Sequence, residues 1–339
     1  MESYNRCFYK RTEMAVFKVE SKLFKTVVTH LRNIRNLTTK SEVSIVEVGP
    51  RDGLQNEKKI ISTATKVKLI ERLADCGFST VEATSFVSPK WIPQMADHSE
   101  VMSSLKRRDG VSYPVLVPNM EGLEKVLQNK AVKEIAVFAS ASETFSRKNT
   151  NCSVEVAATR LRNVTLKALE AGLAVRGYIS CVIGCPYDGA IQPSAVGNIA
   201  EQLLSAGCYE ISLGDTIGVG SAGSVRKLLD YLLTYIPAKF FAVHFHDTYG
   251  QALSNVLVAF DKGIQTADGS VAGLGGCPYA NGATGNLATE DLIYMLHDLG
   301  CSTGVNLDSV VEVSEWICRE LGKVNCSRVT SALLSKRRQ

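Results

Sequence analysis

The sequence predicts an α/β protein with a (β/α)8 TIM barrel and an extra helical segment at its C-terminal end. Apolar, β-rich runs alternate with helical patterns from Glu42 onward, at intervals of about 25–35 residues. Eight such units fit into roughly 250 residues, which is the typical size of this barrel. An open doubly wound sheet is the alternative, but no GxGxxG motif opens the first unit, as a dinucleotide-binding sheet would require.

Eight runs have the length and the β-branched, apolar composition of buried parallel strands. The predicted strands span residues 43–48, 80–84, 113–117, 134–139, 174–180, 210–213, 240–246 and 266–272. The helices predicted after them repeat apolar residues at three- and four-residue steps. They span residues 63–76, 98–107, 121–128, 154–171, 196–206, 224–235, 251–262 and 289–299. A last helix, at 307–321, lies beyond the eighth unit and forms the extra segment.

The chain divides into three parts by composition. Residues 1–40 hold nine Lys or Arg against three Glu, and their apolar residues recur at helical steps from Val16 to Ile34. A basic amphipathic helix of this kind is typical of a mitochondrial targeting segment, whereas Glu13 and Glu20 favour a surface helix or tail. Residues 41–325 are predicted to be the catalytic barrel and 326–339 a basic C-terminal tail. We therefore expect the mitochondrial matrix, with the cytosol as the alternative.

Composition excludes several classes of protein. The net charge is only +4 and much of it comes from residues 1–40, so the body offers no basic surface for nucleic acid. No run of about 18 apolar residues is present, so no transmembrane segment is expected. The ten cysteines form no CxxC pairs, which favours buried, reduced thiols over a zinc ribbon or a disulfide framework.

Polar residues follow the predicted strands and point to a metal site. His244 and His246 share one face of the seventh strand, Asp52 follows the first strand, and Asn286 follows the eighth. Because the carboxyl ends of barrel strands meet at one rim, these side chains are expected to lie close together. Mixed nitrogen and oxygen ligands suit Mg²⁺ or Mn²⁺, although zinc would also accept them. The alternatives are two histidines that only pack near a strand end and a turn-forming Asp52 before Gly53.

Two further residues fit the chemistry that such an ion supports. A divalent ion lowers the pKa of a bound hydroxyl, and loss of that proton from a 3-hydroxy thioester breaks the adjacent C–C bond. Arg51, beside Asp52, could stabilise the enolate that leaves. Cys277 lies in GLGGCPYANGATGN, a segment with five glycines in 14 residues, and its thiol could act as acid or base. The alternative is a cysteine that merely packs in a tight turn.

Several long segments carry a resemblance to the 3-hydroxy-3-methylglutaryl-CoA (HMG-CoA) lyases. They are VEVGPRDGLQNEK at 46–58, TSFVSPKWIPQMADH at 84–98, SLGDTIGVG at 212–220, VHFHDTYGQALSN at 243–255 and SVAGLGGCPYANGATGNLATED at 270–291. The resemblance covers about residues 42–325. It implies a TIM-barrel carbon–carbon lyase that splits HMG-CoA into acetyl-CoA and acetoacetate, as in ketone-body formation and leucine degradation. We also expect a homodimer.

The resemblance also implies roles for individual residues. Asp52, His244, His246 and Asn286 would hold the divalent metal, and Arg51 would stabilise the enolate. Proton handling would involve Asp52, Asp215, His244 and Cys277. Glu82 would lie at the substrate, and Glu290 would support the site from behind the ligands.

Two other functions compete with the lyase reading. A Claisen-type synthase, which condenses acetyl-CoA with a keto acid, shares the Arg-Asp and His-x-His elements, and the segment around Cys277 distinguishes the lyase from it. A non-catalytic CoA-binding scaffold is the alternative of another class, and the intact ligand and acid–base positions argue against it.

Overall fold

The computed structural model describes residues 42–276 and 285–337, and the predicted N-terminal segment 1–40 and Cys277 lie outside this part. Within it, eight parallel strands follow one another along the chain, the second of them interrupted at residues 82–83. They are β1 (Ser44–Glu47), β2 (Thr80–Val81 and Thr84–Ser85), β3 (Val115–Leu116), β4 (Glu134–Ser140), β5 (Ala174–Ser180), β6 (Ile211–Asp215), β7 (Phe241–Phe245) and β8 (Thr266–Gly269).

The interrupted strand β2 closes the sheet into a barrel. Its first part pairs with β1, and its second part pairs with β3. Between them, the Glu82 N–H donates to the Glu47 carbonyl at 2.9 Å, and the Ala83 N–H donates to the Pro114 carbonyl at 2.9 Å. Strand β1 pairs on its other side with β8, so the circle is complete and every pair in it is parallel. The predicted (β/α)8 barrel is confirmed.

Eleven α-helices are present in the described residues and surround the strands. They are α1 (Thr63–Asp75), α2 (His98–Ser104), α3 (Met120–Gln128), α4 (Glu143–Thr150), α5 (Val154–Glu170), α6 (Pro193–Ala206), α7 (Ala222–Leu232), α8 (Ala252–Asp261), α9 (Thr289–Asp298), α10 (Leu307–Leu321) and α11 (Arg328–Arg337). Side-chain oxygens at N-caps such as Ser62, Asn119 and Ser153 accept backbone N–H groups and set where helices begin. Left-handed Gly207 and Gly322 end α6 and α10.

The structure adds elements that the sequence pattern does not reveal. Helix α4 is short and mostly polar, so it lacks the apolar repeat on which helix prediction depends. A two-stranded antiparallel hairpin joins Gly184–Cys185 to Gly189–Ala190.

The C-terminal segment also differs from the expected tail. Residues Arg328–Arg337 form α11, which packs against α9 and α10. The Asp291 carboxylate accepts the Ser327 hydroxyl at 2.7 Å and the Val329 N–H at 2.9 Å, and so fixes the start of this helix. Thr330 is the one buried residue of α11, so hydrogen bonds anchor this helix more than apolar packing does, and a hydrophobic pattern cannot reveal it.

The apolar core lies between the strands and the surrounding helices, whereas the interior of the barrel is charged. Glu82, Arg176 and Asp268 are all almost completely buried on barrel strands or between their parts, and the Tyr178 hydroxyl links Arg176 to Glu82. Buried charges persist only when they are paired, so the interior forms a continuous polar network. In the described residues, no helix has the length and apolar character needed to cross a membrane.

Candidate active site

The turn after β1 places Arg51 and Asp52 at the carboxyl end of the barrel. The Val48 carbonyl accepts the N–H groups of Asp52 at 2.7 Å and of Gly53 at 3.2 Å, which curls residues 49–53 into one wide turn. Arg51 is buried within this turn, while Asp52 is partly buried. The turn faces the end of β7, where His244 and His246 lie.

Asp52, His244 and His246 converge as predicted. One ligand atom from each side chain lies within 4.8 Å of the other two. His244 Nε2 lies 3.7 Å from Asp52 Oδ2. Asn286 joins them, because its Nδ2 donates to Asp52 Oδ2 at 2.8 Å and its backbone bridges to that of His246.

Two buried lone pairs show that this group fits a divalent cation. His246 Nδ1 and Asn286 Oδ1 are both buried and find no hydrogen-bond partner among the described residues. Burial and the neighbouring His244 lower the pKa of His246 to about 4, so its ring is neutral and can coordinate a metal. Burial alone would raise the pKa of Asp52, but Arg51 and then His244 outweigh it and keep the carboxylate charged. A neutral imidazole, a carboxylate and an amide oxygen together suit Mg²⁺ or Mn²⁺.

Arg51 is held rigidly between two carboxylates. Its Nη1 donates to Asp52 Oδ1 at 2.6 Å, and its Nε donates to Glu82 Oε2 at 2.8 Å. Burial would lower the pKa of Arg51, but Glu82 and Asp52 raise it, so the guanidinium stays charged. It lines a cavity that also reaches His244 and His246, so a fixed positive charge lies beside the candidate metal site.

Asp268 and Arg176 form a supporting network that the sequence analysis missed. Asp268 Oδ2 lies 3.2 Å from His244 Nδ1, which leaves Nε2 of that ring on the side of Asp52. Arg176 Nη2 pairs with Asp268 Oδ1 at 2.8 Å, and Arg176 Nη1 donates to the Tyr178 hydroxyl at 2.9 Å. The Tyr178 hydroxyl in turn donates to Glu82 at 3.3 Å. The sequence does contain a signal for this network. Its charged residues stand in strands that are otherwise apolar, at alternate positions whose side chains face into the barrel.

We expect Asp268→Asn to weaken divalent metal binding by about 10- to 100-fold, the usual effect of losing a partner that orients a metal-bound histidine. The asparagine amide carries no charge. It would therefore offer His244 and Arg176 either an N–H₂ group or a neutral oxygen in place of the carboxylate. Ser212→Ala is the matched control, because the Ser212 hydroxyl donates to the same carboxylate at 2.8 Å. Titration with Mn²⁺ measures the metal affinity of both variants. Equal affinities in the two would mean that the charge of Asp268 does not support the metal site and that the residue serves packing alone.

The other predicted residues lie farther from the metal group. In the register of β6 and β7, Asp215 is paired with Phe245, whereas His244 is paired with Gly214. Asp215 therefore shares the face of Phe245, in the apolar core, and its carboxylate accepts the Val219 and Gly220 N–H groups at 3.3 and 2.7 Å. Burial raises its pKa to about 6. Asp215 is thus anchored in the turn after β6, although His244 is near enough to oppose part of this rise in pKa.

Glu82 and Glu290 occupy different positions in the network. Glu82 is fully buried behind Arg51, and burial raises its pKa although the guanidinium opposes the shift. Glu290 lies beneath the turn Val271–Gly273, where its carboxylate accepts the Ala272 N–H at 3.0 Å. Burial raises the pKa of Glu290 to about 7. Neither group lines the cavity.

The cavity in front of the metal group has a volume of about 1040 Å³. Its inner wall includes the apolar side chains of Leu116 and Phe138 beside Tyr178, while Lys148 and Arg160 contribute to the same lining. Gly276, the last described residue before Cys277, also lines it. A cavity of this size could hold a large ligand with both apolar and anionic parts.

The sequence matches a known protein family over most of its length. The HMGL-like family profile matches residues 42–317. The mitochondrial hydroxymethylglutaryl-CoA lyase of Mus musculus is 51% identical over 317 residues, covering 92% of this chain and 97% of that protein. The cytoplasmic 3-hydroxy-3-methylglutaryl-CoA lyase of Danio rerio is 55% identical over 290 residues, 86% of each chain.

A solved structure shows the same agreement in three dimensions. The crystal structure of hydroxymethylglutaryl-CoA lyase from Pseudomonas aeruginosa superposes with a TM-score of 0.85 at 51% identity. It covers 88% of this chain and 99% of that one. The match in sequence and fold is the resemblance that the motifs predicted, and this chain belongs to the HMG-CoA lyase family.

Proposed function

We propose that this protein cleaves HMG-CoA into acetyl-CoA and acetoacetate in a reaction that depends on a divalent metal. The observation that carries the proposal is the group of Asp52, His244 and His246 with the charged Arg51 beside it, all four at one cavity. A metal site alone would fit many barrels, but a buried cation next to it supplies what an enolate leaving group needs.

We assign the metal to Asp52, His244, His246 and Asn286, and we propose Mg²⁺ or Mn²⁺. When bound, the ion supplies Lewis acidity and lowers the pKa of a coordinated substrate hydroxyl. The protein fixes the ligand geometry, since Asn286 donates to Asp52 at 2.8 Å and Asp268 orients His244 from behind at 3.2 Å.

Arg51 is proposed to stabilise the negative charge that develops on the thioester oxygen. Its position costs no reorganisation during the reaction, because Asp52 and Glu82 already hold the guanidinium in place. Glu82 would act through Arg51 rather than on the substrate itself, as it lies behind the guanidinium and Tyr178 caps it.

The proton transfers are proposed to involve His244 and Cys277. His244 lines the cavity, and Cys277 directly follows Gly276, whose carbonyl accepts Asn56 Nδ2 at 3.0 Å at the cavity edge. The thiol of Cys277 could protonate the acetyl-CoA enolate. The proton-handling role of Asp215 stays a sequence-based prediction, and we propose instead that its carboxylate fixes the turn at 218–220.

The outer part of the cavity is proposed to bind the CoA portion of the substrate. Lys148 and Arg160 bring positive charges that could pair with CoA phosphates, and Trp91, which is 71% exposed, could stack on an aromatic base. The apolar wall of Leu116 and Phe138 would face the branched acyl group.

The test is an assay of the purified protein on HMG-CoA. We expect release of acetoacetate that EDTA abolishes and that added Mg²⁺ or Mn²⁺ restores. Condensation of acetyl-CoA with a keto acid, without cleavage of HMG-CoA, would instead establish a synthase. Binding of CoA without either reaction would establish a non-catalytic scaffold.

The compartment and the assembly remain part of this proposal. The family has both mitochondrial and cytoplasmic members, as the Mus musculus and Danio rerio relatives show. We propose the mitochondrial matrix because residues 1–40 are basic and amphipathic. We also propose a homodimer, with the barrel at 41–325 as its catalytic domain.

A further inference from the structure

Ala272 has a backbone conformation that needs outside support. Its φ of 60° lies in the left-handed region, which an L-residue other than Asn or Asp rarely adopts. Such a conformation costs energy and persists where neighbouring groups fix it from several sides. Ala272 is the middle residue of the turn Val271–Gly273, which directly follows β8 and Ser270.

Both backbone groups of Ala272 are held by parts of the chain near its C-terminal end. The Ala272 N–H donates to Glu290 Oε2 at 3.0 Å, and the Ala272 carbonyl accepts the Cys326 N–H at 3.1 Å. Glu290 is itself fixed by α11, because the Thr330 hydroxyl donates to Glu290 Oε1 at 3.0 Å. Thr330 and Glu290 are both fully buried, so water cannot replace this hydrogen bond.

The same turn leads directly to a proposed metal ligand. The Leu274 N–H donates to the Val271 carbonyl at 3.1 Å, and the Leu274 carbonyl accepts Asn286 Nδ2 at 3.1 Å. That bond, with the one from Asn286 to Asp52, fixes which way the Asn286 amide oxygen points. Gly285 packs tightly on the turn, since a Cβ there would lie 2.1 Å from the Gly273 carbonyl oxygen.

We propose that α11 is a positioning element of the metal site, and that Thr330 acts through Glu290 and the Ala272 turn to orient Asn286. Thr330 is hydrogen-bonded to Glu290, Ser314 and Ser327, none of which is a proposed ligand. The inference rests on the proposed metal site, but it concerns a residue that no motif at the barrel rim contains.

The test compares three variants of the full-length protein. Thr330→Val keeps the shape of the side chain and removes the hydroxyl, and Thr330→Ser restores the hydroxyl. Ser331→Ala is the matched control, because the Ser331 hydroxyl donates to the carbonyl of Ser327, just before α11, at 2.9 Å and not to Glu290. The measurements are Mn²⁺ affinity, hydrogen–deuterium exchange of residues 271–276 without metal, the melting temperature, and kcat and KM for HMG-CoA.

We expect Thr330→Val to weaken Mn²⁺ binding by about tenfold, the low end of the effect of losing support for a metal ligand. Exchange in 271–276 should accelerate, and kcat should fall more than KM rises. Thr330→Ser and Ser331→Ala should match the wild-type protein in all four measurements.

Two results would overturn the inference. The first is a Thr330→Val variant whose Mn²⁺ affinity and hydrogen–deuterium exchange equal those of the wild-type protein. The second is a Ser331→Ala variant that loses as much Mn²⁺ affinity as Thr330→Val, which would indicate general weakening of α11. If Thr330→Val failed to fold, Ser327→Ala would replace it, because it loosens the helix from Asp291 and leaves Thr330 in place. A wild-type protein that binds no Mn²⁺ would refute the proposed function instead, and the exchange measurement would still decide whether Thr330 supports the turn.

Discussion

Replacing Arg51 by glutamine should lower kcat for HMG-CoA cleavage by about 10²–10³-fold, the usual effect of removing one donor to a developing oxyanion. KM should change little, because the positive charge is needed mainly when the thioester gains electron density. Glutamine keeps a similar reach but carries no charge and cannot donate to Asp52 and Glu82 together, as the guanidinium does. Steady-state kinetics at saturating metal measures the effect.

The loss of Arg51 also leaves Glu82 and Asp52 without their cation, so stability has to be measured beside activity. Glu82→Gln serves as the control, because it removes one ion pair but keeps the guanidinium in the cavity. If Glu82→Gln reduced kcat as much as Arg51→Gln, the anchoring of the guanidinium would matter as much as its charge. A change confined to KM in Arg51→Gln would make Arg51 a binding residue.

Replacing His246 by alanine should weaken divalent metal binding by about 100-fold or more. Losing a residue that only supports a metal ligand costs about 10- to 100-fold, and losing the ligand itself should cost at least as much. The ring nitrogen Nδ1 finds no other partner among the residues that the structure describes, so binding a metal is the role left for it. Activity should return in part at high Mg²⁺ or Mn²⁺, because Asp52, His244 and Asn286 would remain. Mn²⁺ titration and the metal dependence of kcat measure this.

His297→Ala is the matched control for that experiment. His297 lies on α9, and its Nε2 is within 2.9 Å of the Thr303 hydroxyl, so it has a structural partner of its own. Its removal should leave the metal dependence unchanged. Full activity of a metal-stripped His246→Ala protein, or of the metal-stripped wild type, would exclude the proposed role of the ion.

Local patterns were sufficient to predict the barrel and its rim. The fifth strand and the helix at Leu307–Leu321 were predicted to the residue; the strand is a short, mostly buried run, and Asn306 and left-handed Gly322 cap the helix. Asp52 and the two histidines could be brought together from sequence because parallel strands end at one rim. Asn286 and Asp52 are 234 positions apart and still hydrogen-bonded, a proximity that follows from topology alone.

Other parts of the site could not be predicted, for physical reasons. Asp268 lies inside the barrel, below the rim. A buried charge is tolerated there because Arg176, on another strand, pairs with it. No local pattern specifies that pairing. Asp215 shows the opposite case: it ends a strand, as the pattern requires, but the register of β6 and β7 turns it toward Phe245. A shift of one position along a strand reverses the face of a side chain.

The charged interior of the barrel has a consequence for how the protein responds to its ionic environment. Four carboxylates, those of Asp52, Glu82, Asp268 and Glu210, share only two guanidinium groups, those of Arg51 and Arg176. A bound divalent cation would offset this imbalance, so the free energy of binding would be linked to folding. At a free-ion concentration 100 times the Kd, this linkage amounts to about 2.7 kcal/mol of added stability. Conformational stability would therefore follow the supply of divalent ions in the compartment, and scarcity of the ion would expose the protein to unfolding as well as to loss of activity.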